Sequence, residues 1–285
     1  ERARFAREVM DRFVTEYCAG RTPNPCIDCN RCLKFGAFLD RALDMGFDYI
    51  ATGHYARVEH DAARGSCRLL RGRSLAKDQS YVLYQLTQFQ LSHLLLPVGG
   101  FEKPDIRAQA EQAGLANARQ ADSQDICFIP DGDYVRFLQD YGGAALQPGN
   151  FVDRTGRVLG RHRGLACYTA GQRKGLGVSA DRPLYVISKN AEDHTILLGD
   201  NDELFSSALL ASRVNWIAGA PAGAVRCTAK TRYSQKECGA VVTPLPDGGA
   251  HVALLTPQRA VTAGQAVVFY DGDEVLGGGT IERAL

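Results

Sequence analysis

No stretch of this 285-residue chain approaches the roughly 20 consecutive apolar residues of a membrane-spanning helix, and the opening Glu1-Arg2-Ala3-Arg4 lacks the apolar core of a secretion signal. Both absences point to a cytoplasmic protein with no membrane partner. An excess of charge of one sign is also missing. Lys and Arg number 33 against 32 Asp and Glu, so the net charge of +1 excludes a uniformly basic nucleic-acid-binding surface and leaves only local patches for such a partner. An even cysteine framework is absent as well: the nine cysteines are unevenly spread, which argues against a secreted disulfide scaffold and for thiol or metal chemistry. There is no internal repeat and no low-complexity segment. With 45% hydrophobic residues, the chain has enough apolar material for two or three domain cores.

Residues 20–35, Gly-Arg-Thr-Pro-Asn-Pro-Cys-Ile-Asp-Cys-Asn-Arg-Cys-Leu-Lys-Phe, organise the reading. Pro23 and Pro25 stiffen the backbone before Cys26. Asn30 is expected to cap a helix that runs through Leu33, Phe38, Leu39 and Leu43 to Gly46. Cys29 then sits just outside a helix N-terminus, where the dipole together with Arg31 and Lys34 favours a thiolate.

Upstream, residues 1–17 read as an amphipathic helix with Phe5, Val9, Phe13 and Val14 on one side and no cap before it. Asp48-Tyr49-Ile50-Ala51-Thr52 reads as a strand, followed by Gly53-His54-Tyr55, the place where an α/β sheet binds ligands. A lone histidine such as His54 is more often structural than catalytic. Residues 56–59 and 67–71 read as a hairpin. Lys77-Asp78-Gln79 reads either as the capped start of a helix or as a phosphate and base contact. A helix opens at Pro104 and runs through Ile106 and Ala110 to Gly114. In Ile126-Cys127-Phe128-Ile129 the cysteine, taken alone, reads as a buried core residue.

The glycines and proline of residues 141–150 mark a domain boundary, after which short alternating segments predict mostly β structure. Residues 154–174 hold six Lys or Arg and no Asp or Glu, a basic patch suited to phosphates. From about Leu204 onward, strands separated by Pro, Gly and Asp turns suit a small barrel.

Taken together, Gly20-Arg21-Thr22-Pro23-Asn24-Pro25 with Cys29-Asn30, Ala51-Thr52-Gly53-His54-Tyr55, Lys77-Asp78-Gln79-Ser80-Tyr81, Asp122-Ser123 with Ile126-Cys127-Phe128-Ile129, Gly171-Gln172-Arg173-Lys174-Gly175-Leu176-Gly177, Lys230-Thr231-Arg232-Tyr233 and Gly264-Gln265 resemble the bacterial tRNA-specific 2-thiouridylases over nearly the whole chain. The resemblance implies a partial PP-loop α/β domain over residues 1–143, a central β-rich tRNA-binding domain over 144–204 and a C-terminal β-barrel over 205–285. It implies ATP with Mg2+ as cofactors, adenylation of the uracil oxygen of a wobble uridine, and sulfur transfer from a cysteine persulfide. Tyrosine, amide and basic side chains would meet tRNA, and a persulfide sulfur-relay protein would be a second partner.

Carried over by motif, Cys127 would hold the persulfide and Cys29 would release its sulfur or close a disulfide with it. Gly53 would contact ATP. Asn24, Pro25, Cys26, His54, Lys77, Asp78, Gln79, Arg232, Tyr233 and Gln265 would lie against tRNA.

Two departures stand out. The family's Ser-Gly-Gly-x-Asp-Ser nucleotide loop has no match here, so the chain is expected to be a fragment whose loop lies upstream of Glu1 and to bind ATP poorly on its own. Cys26 occupies a position where some members carry an aspartate proposed as acid/base. Rival readings are a metal or iron–sulfur protein using Cys26, Cys29 and Cys32, a three-thiolate iron–sulfur cluster at Cys26, Cys29 and Cys127, or another ATP-dependent ligase of the same loop class.

Overall fold

The structure is a computed structural model, which describes every residue except 62, 64, 121–125 and 144–145. Residues 2–18 wind as one helical run, α1, with α-type ends at Arg2–Phe5 and Arg12–Cys18 and a wider π-type middle at Ala6–Asp11. Val9, Phe13 and Tyr17 recur every four positions and form its buried stripe. A second run, α2, comprises Pro25–Asp28, π-type Cys29–Ala37 and Phe38–Asp44, and buries Phe35, Leu39 and Ala42. Gly46, at φ 84°, follows its end as a left-handed stop.

The start of α2 corrects the sequence reading. Asn24 is the cap, its Oδ1 accepting from the Cys26 amide at 3.1 Å, and Pro25 fills the first helical position, where its missing N–H costs nothing. Asn30 lies inside the helix and is 2% exposed, with its amide donating to the Val82 carbonyl at 3.2 Å. Cys29 is therefore a full turn inside the helix rather than in front of it. Asp28 ties the two helical runs together through Arg12, at 3.2 Å.

The short strands β1 (Ile50–Ala51) and β4 (Leu94–Leu95) pair in parallel, with the hairpin β2 (Ala56–Asp61) and β3 (Ser66–Arg71) between them in sequence. Helix α3 (Gln88–Ser92) carries a reciprocal Thr87/Gln90 capping box, and α4 (Lys103–Gln112) starts one residue before the expected Pro104, which sits in its first turn. Helix α5 (Tyr134–Asp140) packs Phe137 on Phe13 and Phe128 of the α1 neighbourhood.

Four strands form the central sheet in the order β6-β5-β8-β7: β5 (Gly149–Val152), β6 (Val158–His162), β7 (Tyr185–Asn190) and β8 (Thr195–Gly199). Phe151, Val186 and Ile196 form its core, each with no more than a trace of exposure. Six further strands close a barrel: β9 (Phe205–Trp216), β10 (Val225–Lys230), β11 (Cys238–Pro244), β12 (Ala250–Arg259), β13 (Ala266–Asp271) and β14 (Glu274–Ala284). Closure comes from β13 pairing with both β10 and β14, which removes the open sheet edge. The expected α/β domain, central β unit and terminal barrel are thus all present.

One connection was not foreseen. The β2–β3 hairpin joins the barrel sheet through Leu70 opposite Glu274, reinforced by Arg68 to Glu274 at 2.8 Å. Among the described residues no helix is long and apolar enough to cross a membrane.

Candidate active site

A cavity of about 320 Å³ opens at the N-terminus of α2, lined by Asn24, Pro25, Cys26, Asn30, Lys34, His54, Gln79, Val82, Ile126 and Tyr233. The α2 cap, the loop after β1, the 77–79 turn, the cysteine-bearing 126–129 segment and the loop after β10 all reach it. Most of the motifs spread along the sequence therefore converge on one place.

Cys26 and Cys29 stand three residues apart on the same helix and so share a face. Cys26 is exposed, Cys29 half-buried and Cys32 buried. The expectation of an easily formed thiolate at Cys29 is overturned. Burial pushes its thiol up, and Lys34, the largest opposing influence, only partly offsets that. The Cys26 thiol is likewise pushed up by burial and by Cys127, against Lys34.

Cys127 also departs from its expectation, being exposed rather than buried in a core. Its neighbour Phe128 takes the apolar role, packing edge-on against Phe5 at 5.8 Å and Phe13 at 5.5 Å, while Ile129 is buried at 2% exposure. With these two residues turned to the core, the thiol is left outward, and its neighbour Ile126 lines the same cavity as Cys26. All three are free thiols. Asp122 and Ser123 of the same motif lie outside the described residues.

His54 is 7% exposed, with Nδ1 bonded to Thr52 Oγ1 at 2.8 Å and its ring 5.5 Å from that of Phe35. Burial, assisted by Lys34, pulls its pKa down to about 4, so the imidazole is neutral near pH 7. The 77–79 turn starts no helix: single 3-10 turns, Leu75–Lys77 and Ser80–Val82, flank it. The reason is Asp78, which is buried and accepts from the Gly72 amide, the Ser80 amide and the Ser80 hydroxyl, pinning a tight loop. Gln79 accepts from the Tyr55 amide at 2.9 Å and so fixes the loop after β1. Lys77 is exposed.

Tyr233 reaches the cavity rim, its hydroxyl donating to the Asp78 carbonyl at 3.2 Å. Arg232 spends its guanidinium on the Ala260 carbonyl, 2.8 Å away, and on Ala170, 3.2 Å away, which joins the barrel to the central sheet. Gln265 donates to the Thr22 carbonyl at 2.8 Å.

Two residues gained meaning only from the structure. Asn30 lines the cavity with its Oδ1 unpartnered, while its amide nitrogen is held by Val82. Lys34 is the cation acting on Cys26, Cys29 and His54 alike. The Asn30 side chain carried no signal that could distinguish a helix cap from an interior residue; Lys34 was visible only as local charge.

Among the described residues, no three His, Cys, Asp or Glu side chains converge closely enough to hold a metal ion. The donor set needed for an iron–sulfur cluster at Cys26, Cys29 and Cys127, or at Cys26, Cys29 and Cys32, is thus not assembled. The nucleotide expectation fares differently: a Cβ built at Gly53, just past the carboxyl end of β1, would meet nothing within 4 Å, so this face of the backbone is open to a ligand. In the basic stretch, Arg154 pairs with Glu203 and Arg157 with Asp153. Arg161, Arg163, Arg173 and Lys174 are exposed on the central domain.

The chain matches three domain families along its length: one described as "tRNA methyl transferase HUP domain" over residues 1–131, "tRNA methyl transferase PRC-barrel domain" over 135–200, and "Aminomethyltransferase beta-barrel domain" over 206–281. It is similar to the tRNA-specific 2-thiouridylase MnmA of Heliobacterium modesticaldum, with 52% identity over 99% of this chain and 74% of the relative. The proteins of the same name from Acetivibrio thermocellus and Geotalea uraniireducens are 49% and 50% identical over 98% and 99% of this chain, and 78% and 75% of their own lengths.

Proposed function

The chain belongs to the tRNA-specific 2-thiouridylase family, and from that membership we propose that it catalyses 2-thiolation of the wobble uridine of tRNA, in the cytoplasm, with Cys127 as the persulfide carrier and Cys29 as the thiol that releases its sulfur. One observation carries the reading: Cys127 is an exposed free thiol whose neighbour Ile126 lines the same cavity as Cys26, and Cys29, also free, stands one turn along α2 from Cys26. The methyltransferase wording of the domain families implies no such thiols, and a plain amidating ligase would leave them idle.

ATP, taken with Mg2+, supplies the adenylyl group that turns the uracil C2 oxygen into a leaving group; Gly53 is the residue here against which it would lie. The protein side chains do the rest. Exposure lets Cys127 receive sulfur from a persulfide-bearing relay protein. Lys34 favours the thiolate at the α2 cysteines, and the helix N-terminus at Pro25 and Cys26 offers the cavity a positive dipole end. His54, neutral and tied to Thr52, presents an uncharged imidazole to an uncharged base. Asn30 Oδ1 needs a donor, which the N3–H of a uracil would provide, whereas N3 of a cytosine is itself an acceptor. Tyr233, with Asn24 and Gln79, frames the entrance, while the basic face of the central domain meets the phosphates of the tRNA body.

The test is Cys127→Ser expressed from its complete coding sequence in cells lacking the activity. Loss of 2-thiouridine from bulk tRNA, with tRNA affinity retained, is expected; undiminished 2-thiouridine would overturn the assignment.

A further inference from the structure

Cys26 has no partner in the motif-based assignment beyond contact with tRNA, yet it is the thiol that opens directly on the cavity. It lines that cavity together with Ile126, the residue before Cys127. It stands one helical turn before Cys29, on the same face, so a thiol presented to one is within a turn of the other. The two differ in setting. For Cys26, Cys127 is the strongest influence after burial, whereas for Cys29 it ranks behind Lys34. Cys29 is also half-buried where Cys26 is exposed, which matters for an attack that must approach along the line of a sulfur–sulfur bond.

We propose that Cys26 is a second resolving thiol for Cys127, able to complete sulfur release when Cys29 does not; this rests on the reading of Cys127 as the persulfide carrier. Cys26 gives up its proton to solvent and its thiolate attacks Cys127 Sγ. The bond between Sγ and the terminal sulfur breaks, and that sulfur leaves as hydrosulfide with the bonding pair. A Cys26–Cys127 disulfide forms. The terminal sulfur is reduced as the Cys26 sulfur is oxidised, while Cys127 Sγ keeps its oxidation level, so no outside oxidant enters. The hydrosulfide is the nucleophile for C2 of the activated uracil, and a dithiol reductant reopens the disulfide for the next round.

The experiment is a single turnover of the enzyme expressed from its complete coding sequence, loaded with persulfide and mixed with ATP, Mg2+ and unmodified tRNA. The reaction is quenched in acid, free thiols are alkylated and disulfide-linked peptides are mapped by mass spectrometry in wild type, Cys29→Ser, Cys26→Ser and the double variant. Cys29→Ser is expected to retain a disulfide to Cys127 through Cys26 and to thiolate roughly tenfold more slowly, and the double variant is expected to lose a further tenfold or more together with the disulfide. A wild-type disulfide that vanishes in Cys29→Ser would overturn the role of Cys26 while leaving the Cys127 reading in place. A wild-type enzyme that thiolates without any disulfide to Cys127 would overturn both.

Discussion

Gln265, on the barrel, donates a 2.8 Å hydrogen bond to the carbonyl of Thr22, in the loop that leads into the cysteine helix. The same junction is bonded from Thr22 N to the Ala263 carbonyl at 2.9 Å and by Arg21, which pairs with Glu282 and Glu16, each at 2.7 Å. Gly264 lies inside this junction, at φ 91°, where a Cβ would come within 2.8 Å of Thr22 N. The Gly-Arg-Thr part of the first motif is therefore a strap that fixes the α2 N-terminus to the barrel, and Cys26 and Cys29 take their position from it.

Removing this amide should act on positioning. Gln265→Ala deletes one half-buried hydrogen bond, a cost of about 1 kcal/mol in stability, and frees the loop before Asn24. Thiolation rate is expected to fall several-fold with the midpoint of unfolding lowered by only a few degrees. A variant of unchanged rate with weaker tRNA binding would show instead that Gln265 chiefly touches RNA.

Lys34 should set the pH dependence of sulfur release. Burial already pushes the Cys29 and Cys26 thiols up, and Lys34 is the largest force opposing it at Cys29. Lys34→Met is expected to move the alkaline rise of the single-turnover rate to higher pH, slowing the reaction several-fold at pH 7 and recovering much of it in alkali. A loss that is equal at every pH would place Lys34 against the tRNA rather than the thiols.

The fold was legible where local chemistry decides it and obscure where long-range packing does. Proline at 104, the glycine stops at 46 and 114 and the alternating strands after residue 150 all act within a few residues, and each gave the element it signals. Asn24-Pro25 carries the cap and first-turn signals of α2 in plain form. Asn30 drew the reading away from them, because a second cap-forming residue further along looks the same in sequence, and only the Val82 carbonyl 52 positions on makes it an interior residue. Cys127 looked buried among apolar neighbours because sequence alone does not show that Phe128 and Ile129 occupy the core in its place. Five of the motifs contribute residues to one cavity; which motif residues instead hold the surrounding backbone, as Asp78, Arg232 and Gln265 do, depended on partners far away in the fold.

The basic face of the central domain should reveal itself through salt. Arg161, Arg163, Arg173 and Lys174 are exposed, whereas Arg154 and Arg157 are engaged with carboxylates. Changing the first four to Gln is expected to flatten the dependence of tRNA affinity on salt, by roughly 0.7–0.9 in logarithmic slope for each phosphate that the protein no longer neutralises. An unchanged slope, measured by filter binding between low and moderate salt, would remove this surface from the RNA interface.

His54 should make the fold sensitive to acid in a defined window. Its ordinary pKa of 6.5 falls to about 4 in the folded protein, first through burial and then through Lys34. Between those values the unfolded chain binds a proton that the folded one refuses, so acid favours unfolding. The stability associated with a neutral His54 is therefore complete above about pH 6.5, is lost as pH falls toward 4 and changes no further below that. At about 1.4 kcal/mol for each unit of separation, the whole effect is about 3 kcal/mol. His54→Gln keeps a polar side chain near Thr52 without the titration. The difference in unfolding free energy between wild type and variant, from urea titrations at pH 7, 5.5 and 4, is expected to shift in the variant's favour by most of that amount. A difference that stays constant across the three pH values would mean that the buried imidazole takes up its proton as readily in the folded protein as in the unfolded one.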